Sequence, residues 1–122
     1  MEEKILKLTR LQVSRKNLKI IPEEPGIYVF FSQDIPIYIG KAINLKSRLS
    51  SYFSTNLTPK TQRMVQEAKE LSYIKVQTEL DSLLLEAKLV HDLKPHYNAA
   101  LKDDKHPLYI RITKELYPRI IT

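Results

Sequence analysis

The sequence predicts an α+β domain built on a small, mainly antiparallel sheet, and three observations carry that prediction. Two short runs of β-branched and aromatic residues, GIYVFFS from Gly26 and PIYIG from Pro36, follow one another closely enough to form a hairpin. Stretches with apolar residues at helical spacing lie on either side of them. The order along the chain, α, β, β, α, α, β, α, β, then favours an α+β arrangement. A length of 122 residues with 43% hydrophobic content suits one compact domain with one modest core.

In chain order, Ile5, Leu8, Leu11, Val13 and Leu18 recur near helical spacing between Lys4 and Leu18, and Pro22 and Pro25 end the pattern, which predicts an N-terminal helix. The hairpin follows and contains both glycines of the chain, Gly26 and Gly40, each within two residues of a tyrosine. Its connection, around Gln33 and Asp34, has no glycine and no Asn-Gly, so a two-residue primed turn is not expected. Register depends on that connection. An odd-length loop centred on Gln33 would set Tyr28 opposite Tyr38, whereas a two-residue loop would put the tyrosines on opposite faces unless a bulge intervened. Pro36 cannot donate to a ladder, so the second strand is expected at an edge or with that nitrogen facing outward.

Leu45, Leu49 and Tyr52 then share an i, i+4, i+7 stripe and predict a core-facing helix within 42–53. Residues 55–59 form a loop, 61–71 a charged helix, 71–78 an alternating strand, and 80–93 a strong helix broken before Pro95. YIRIT, from Tyr109 to Thr113, predicts a last short strand.

Charge and composition bound the function. Twenty Lys+Arg against 14 Asp+Glu give a formal charge of +6, which favours polyanionic partners such as nucleic acid or an acidic membrane surface. The chain has no cysteine, which excludes disulfides and thiolate metal sites. No apolar run approaches the ~20 residues of a membrane span, and MEEKILKLTR is no signal peptide, so a cytoplasmic protein without membrane association is expected.

Few residues stand out chemically. On the helix over 80–93, Leu80, Leu83, Leu84, Ala87 and Val90 form one broad face, Leu85, Leu89 and Leu93 another, and Asp81, Lys88 and Asp92 a polar stripe. Glu86 falls opposite that stripe, where its carboxylate would lose hydration. It is either a rim residue that reaches solvent or a lysine, or a ligand for a hard divalent cation, with Glu79 as the rival ligand. Lys41, Asn44 and Arg48 can share one helix side just after Tyr38 and Gly40; this is either a solvated basic face or a phosphodiester site, where a guanidinium stabilises developing charge. Tyr28 and Tyr38 alone are ordinary strand residues, and His91, His96 and His106 are too scattered for a metal pair.

GIY at Gly26–Tyr28 and YIG at Tyr38–Gly40 resemble the two halves of the signature of the GIY-YIG nucleases. The likeness continues through KAINLKSRLSSYF, TELDSLLLEAKLV, KPHYNAALKDDKHPLYIRIT and YPRI, from about Pro22 to the C-terminus. These later pieces are similar to the N-terminal domain of the UvrC family and its short homologue Cho more than to homing or restriction enzymes. The resemblance implies a three-stranded sheet flanked by helices, with residues 1–21 as an N-terminal helix and lead-in and 22–122 as the endonuclease domain. It also implies DNA phosphodiester hydrolysis with one divalent cation, Mg²⁺ or Mn²⁺.

Site roles carry over by matching position. Tyr28 would be the general base beside the attacking water, and Tyr38 would orient water or phosphate. Gly40 would keep a Cβ from crowding the phosphate, Lys41 would position it, and Arg48 would stabilise the pentacovalent charge. Glu86 would hold the metal and Asn98 would brace the site. A phenol with a pKa near ~10 is a poor base at neutral pH, so Tyr28 would need that value lowered by nearby cations. Ser82, where such sequences commonly have alanine or another small residue, is a mild departure.

The chain stops at YPRIIT, before the regions that in UvrC bind UvrB, make the second incision and grip DNA, which implies either a fragment of a longer protein or a very short stand-alone one, with the abrupt end favouring the fragment. Its expected role is the 3′-side incision of nucleotide excision repair, as a monomer acting on a UvrB–DNA complex. Lys46, Lys60, Arg63, Lys102 and Lys105 are candidate phosphate contacts, which predicts steep salt dependence and little base preference. The alternatives are a nuclease of the same superfamily for mobile or branched DNA, or a DNA-binding module that lost catalysis.

Overall fold

The strand β2 (Gly26–Ser32) runs through the middle of the sheet because GIYVFF has no charged side chain and only the Tyr28 hydroxyl as a polar side-chain group, and every residue from Gly26 to Phe31 is buried. The computed structural model describes residues 8–102. Around β2 lie β1 (Leu11–Gln12), β3 (Ile35–Ala42) and β4 (Glu70–Lys75), all antiparallel, in the order β1-β4-β2-β3. A 3-10 helix (Arg15–Ile20) follows β1, and the α-helices are α1 (Leu45–Ser51), α2 (Pro59–Glu67), α3 (Glu79–Leu93) and α4 (His96–Lys102). The three long strands are the expected sheet, and β1 adds a short fourth.

Two cores flank β2. Tyr28 and Phe30 meet Leu45, Leu49 and Tyr52 of the α1 region, Met64 of α2 and Tyr97 of α4. On the other face Ile27, Val29, Phe31 and Ile39 meet Leu89, with Leu85, Val90 and Leu93 beside it. Of the two apolar faces of α3, the one with Leu85, Leu89 and Leu93 is therefore inward, while Leu80, Leu83 and Leu84 are exposed. Helix starts follow capping chemistry: the side chains of Asn44, Thr58 and Thr78 accept from Ser47 N, Thr61 N and Asp81 N. Lys94, in the left-handed region at φ 46°, ends α3 before Pro95.

The N-terminal helix expected over Lys4–Leu18 is not present among residues 8–18. Leu11 and Gln12 pair with Leu71 and Glu70, and Val13 N donates to Lys69 O (3.2 Å). Leu11 and Val13 alternate onto the first core while Leu8 packs on the second, a period-two pattern too short to outweigh helical spacing in the sequence. Arg10 fixes this edge by lying over the Phe31 ring (4.3 Å) and pairing with Asp34 and Glu70.

The turn also departs from expectation. Gln33 (φ 51°) and Asp34 (φ 67°) are both left-handed, forming the two-residue primed turn that the residues do not favour. The Arg10–Asp34 pair helps to offset its cost. A bulge then restores the side-chain order: Phe30 pairs with Tyr38 but Phe31 with Pro36, so Ile37 is the extra residue. Tyr28 thus lies opposite Gly40, not Tyr38, yet both tyrosines face the first core. β3 is an edge strand, one of the two arrangements expected from Pro36. Because asparagine tolerates the left-handed region better than glutamine, Gln33→Asn is expected to stabilise by roughly 0.5 kcal/mol, a Tm rise of about 2–4 °C in a circular-dichroism melt.

The remaining elements lie within a few residues of their expected bounds, and α4 is an element the sequence patterns did not indicate. The strand expected at Tyr109–Thr113 and Lys105 lie outside the described residues. Among those described, no helix is long and apolar enough to cross a membrane.

Candidate active site

The site forms where β2 and β3 deliver tyrosines beneath α1. Tyr28 is fully buried, its ring edge-to-face with Phe30 (5.7 Å) and Tyr52 (5.8 Å) and 6.2 Å from Tyr38. Its hydroxyl shares a 2.5 Å hydrogen bond with the Tyr52 hydroxyl and accepts from Arg48 Nε at 3.2 Å. Arg48 also lies over the Tyr52 ring at 5.4 Å. One turn of α1 thus supplies two residues to the site: Arg48 from its flank and Tyr52 from its end.

Tyr52 escaped the sequence reading because it occupies the last position of a regular apolar stripe. Its one signal was chemical, since a phenol at a core position needs a partner for its hydroxyl.

Gly40 lies opposite Tyr28 in the ladder. A Cβ there would overlap the tip of the Tyr28 ring, so the phenol by itself demands glycine at this position. Gly26 is similarly constrained by the Ile74 carbonyl and the Leu45 side chain.

Asn98, on α4, closes the free edge of β3. Ile39 N donates to Asn98 Oδ1 and Asn98 Nδ2 donates to Ile39 O, both at 2.8 Å, in the manner of a neighbouring strand. It braces the strand between Tyr38 and Gly40. The αL cap at Lys94 and Pro95 turns the chain so that α4 reaches this edge.

An open cleft runs between α1 and the start of α3, lined by Lys41, Asn44, Ser47, Arg48, Glu79 and Ser82 among others. On α3, Glu79, Ser82 and Glu86 lie on one ridge at i, i+3 and i+7. Burial raises the Glu86 carboxyl above the ordinary glutamate range, and Lys41 opposes the shift. The charge of Glu86 is felt at Tyr38, which places the two close together. Glu79 is exposed in the first turn of α3 and belongs to the cleft wall. Asn44 does not join Lys41 and Arg48 as a free polar group, because its side chain caps α1.

Both phenols are pushed above their ordinary range. For Tyr28 the cause is burial first, then the neighbouring Tyr52 and Tyr38, with Arg48 pulling the other way. For Tyr38 it is burial, then Tyr52 and Glu86. In the protein without a cation both are therefore neutral phenols at physiological pH.

The donor set fits a single hard divalent cation. Glu86 presents a partly desolvated carboxylate to which no side chain is hydrogen-bonded or ion-paired among the described residues. No group of three or more His, Asp or Glu able to hold a metal occurs among those residues, so the cation's other positions would fall to water and phosphate, as Mg²⁺ accepts. Of the basic candidates, Lys41 and Arg48 line the cleft, Lys46 lies on the opposite flank of α1, and Lys60 and Arg63 are exposed on α2 away from it. Lys102 closes α4.

Comparison with known proteins agrees with this arrangement. Residues 24–99 match the model of the UvrC-like GIY-YIG domain. The UvrABC system protein C of Caldicellulosiruptor saccharolyticus is 41% identical over 110 residues, covering 88% of this chain and 18% of the relative. That of Thermotoga petrophila is 45% identical over 106 residues, covering 87% and 19%. The chain thus spans about a fifth of the length of these relatives. Among solved structures, the GIY-YIG N-terminal endonuclease domain of UvrC from Thermotoga maritima, bound to its catalytic magnesium, superposes with a TM-score of 0.64 at 44% identity, covering 68% of this chain and 92% of that one. Three tyrosine-to-phenylalanine variants and one asparagine-to-alanine variant of that domain, each bound to the catalytic divalent cation, are equally similar. By its fold, by its paired GIY and YIG strands and by these matches, the chain belongs to the UvrC-like GIY-YIG domain family.

Proposed function

We propose that residues 22–122 act as a divalent-cation-dependent DNA endonuclease that hydrolyses a phosphodiester, and that the activity serves the 3′-side incision of nucleotide excision repair on DNA presented by UvrB in the cytoplasm. The observation that carries this reading is the cluster of a buried phenol, the guanidinium bonded to it and, beside Tyr38 and Lys41, a partly buried carboxylate, with Arg48 and Lys41 opening onto the cleft. The three tyrosines varied in the Thermotoga maritima domain are spaced by 10 and 14 positions, as are Tyr28, Tyr38 and Tyr52, which supports a shared role for this trio.

Each residue has a chemical task in this reading. Arg48 stabilises the charge that builds on the phosphoryl oxygens as water attacks. Tyr28 can take the water's proton only after losing its own to solvent; Arg48 and Tyr52, hydrogen-bonded to its oxygen, stabilise that phenolate, which returns to the neutral phenol as the water is deprotonated. Tyr38 orients the water or phosphate, Lys41 draws the phosphate into the cleft, and Gly40 keeps Tyr28 in place. Asn98 holds the β3 edge, and with it Tyr38, rigid. Glu86 holds Mg²⁺ or Mn²⁺, which when bound supplies Lewis-acid charge to phosphoryl and leaving oxygens.

The test is nicking of supercoiled plasmid by the full chain with Mg²⁺, with Mn²⁺ and with chelator, beside Arg48→Ala purified identically. The expected result is cation-dependent nicking that falls by roughly 10²–10³-fold in the variant. Equal nicking by the two proteins, or nicking that survives chelation, overturns the assignment. The position of the cut in a lesion-bearing duplex with UvrB then tests the repair role.

A further inference from the structure

Part of the basic charge outside the cleft gathers beside α1. Residues 35–66 contain Lys41, Lys46, Arg48, Lys60 and Arg63 and no aspartate or glutamate; residues 8–22 contain Arg10, Arg15, Lys16 and Lys19, again with no acid. These acid-free stretches meet, for the 3-10 helix packs against α1 and Lys46 N donates to Pro22 O at 3.2 Å. Arg15 pins the junction by donating to Phe53 O at 3.1 Å, with its guanidinium 5.6 Å from the Phe53 ring centre. Lys16, Lys19 and Lys46 make no ion pair among the described residues.

α1 divides this surface. Turned at 100° per residue, it sends Leu45, Leu49 and the following Tyr52 into the core, Arg48 to the cleft flank and Lys46 to the flank beside the 3-10 helix. Ser47, Ser50 and Ser51 form the exposed ridge between. Two of those hydroxyls turn back onto the helix, Ser50 Oγ donating to Lys46 O and Ser51 Oγ to Arg48 O. The ridge is low and offers little to read bases with, while cations stand on both sides.

The geometry points to a second phosphate-binding rail, formed by Lys16, Lys19 and Lys46, that grips the strand of duplex DNA facing the one held at Arg48. A helix is about 10–12 Å across and the major groove about 12 Å wide, so α1 can sit in the groove with one backbone on each flank. Contacts of this kind position the duplex without reading its sequence. This inference rests on the proposed nuclease reading for which strand lies at Arg48, but duplex binding by the rail is measurable without cleavage.

The test is fluorescence anisotropy of a labelled duplex oligonucleotide of arbitrary sequence, titrated with the full chain across a salt series. The variant combines Lys16→Ala, Lys19→Ala and Lys46→Ala; a control of equal charge loss combines Lys69→Ala, Lys75→Ala and Lys88→Ala, and both are checked for an unchanged melt. Three lost contacts lower the slope of log affinity against log salt by about 2.7, sparing the rail variant roughly 40-fold of the affinity that the wild type loses between about 50 and 200 mM salt. The rail variant should also bind more weakly at low salt, while the control keeps the wild-type slope. Equal slopes in rail variant and wild type, equal losses in variant and control, or no duplex binding by the wild type would each refute the rail. Nicking is scored separately: an intact wild-type nick with an unchanged slope removes the rail alone, whereas a lowered slope without any nicking keeps the rail and removes the nuclease.

Discussion

Glu86→Gln is expected to abolish cation-dependent nicking and, in the same protein freed of cations, to raise stability at neutral pH. The side chains are nearly isosteric, so packing is preserved while the charge is lost. Glu86 lies partly buried, with Lys41 as its opposing charge, and its carboxyl is raised by burial. A carboxyl raised in the folded state destabilises as it ionises. As pH rises from the ordinary glutamate value of about 4.3 toward the raised one, the unfolded chain releases its proton first, so stability falls across that window and stays lower above it. Glu86→Gln removes this fall, so the gap between variant and wild type in urea unfolding should open with rising pH and close near pH 4. Cation binding reverses the order: Mg²⁺ should raise the Tm of the wild type and leave that of the variant unchanged. Nicking should drop on the order of 10²–10³-fold or more. A variant that still nicks within a few-fold of wild type, or whose melt responds equally to Mg²⁺, would transfer the ligand role to Glu79. The conflict is a physical one, since a residue kept charged in a poor solvent for charge is stabilising only with its cation.

Why Glu86 was legible in the sequence while Tyr52 was not follows from what each pattern can express. A carboxylate on the wrong side of an amphipathic helix violates the periodicity, so Glu86 stood out against Leu85, Leu89 and Leu93 before any fold was known. Tyr52 obeys its periodicity, and only the partnership of its hydroxyl with Tyr28 reveals a second task. The central hairpin, α1 and α3 were legible because their patterns are long and their faces differ. The N-terminal segment was not, because two residues of alternation cannot compete with a helical count, and β1 exists through its pairing with β4. The turn at Gln33 and Asp34 shows the same dependence, since an arginine from β1's approach helps to hold a conformation the local residues disfavour. The bulge at Ile37 then decides the site: without it the two-residue turn would send Tyr38 to the face away from Tyr28.

Gly40→Ala should destabilise the fold by about 1–3 kcal/mol and suppress nicking together with it. A Cβ at this position would enter the space of the Tyr28 ring tip, and that ring has nowhere to go. It is fully buried, edge-to-face with Phe30 and Tyr52, and tied through its oxygen to Tyr52 and Arg48. Relief requires moving Tyr28 or bending β3, and a shift of about 1 Å in a reacting group costs on the order of 10²-fold in rate. The contact is pairwise, so a second substitution can identify it. Tyr28→Leu removes the ring tip, and in the Gly40→Ala background it should cost less stability than it does alone, a coupling of about 0.5–3 kcal/mol in urea unfolding, while leaving nicking absent. A glycine kept to make room for phosphate behaves differently. Gly40→Ala would then leave the urea midpoint at its wild-type value, the double variant would show no coupling, and only DNA binding and nicking would suffer; that set of results would move the origin of the glycine from the Tyr28 ring back to the substrate.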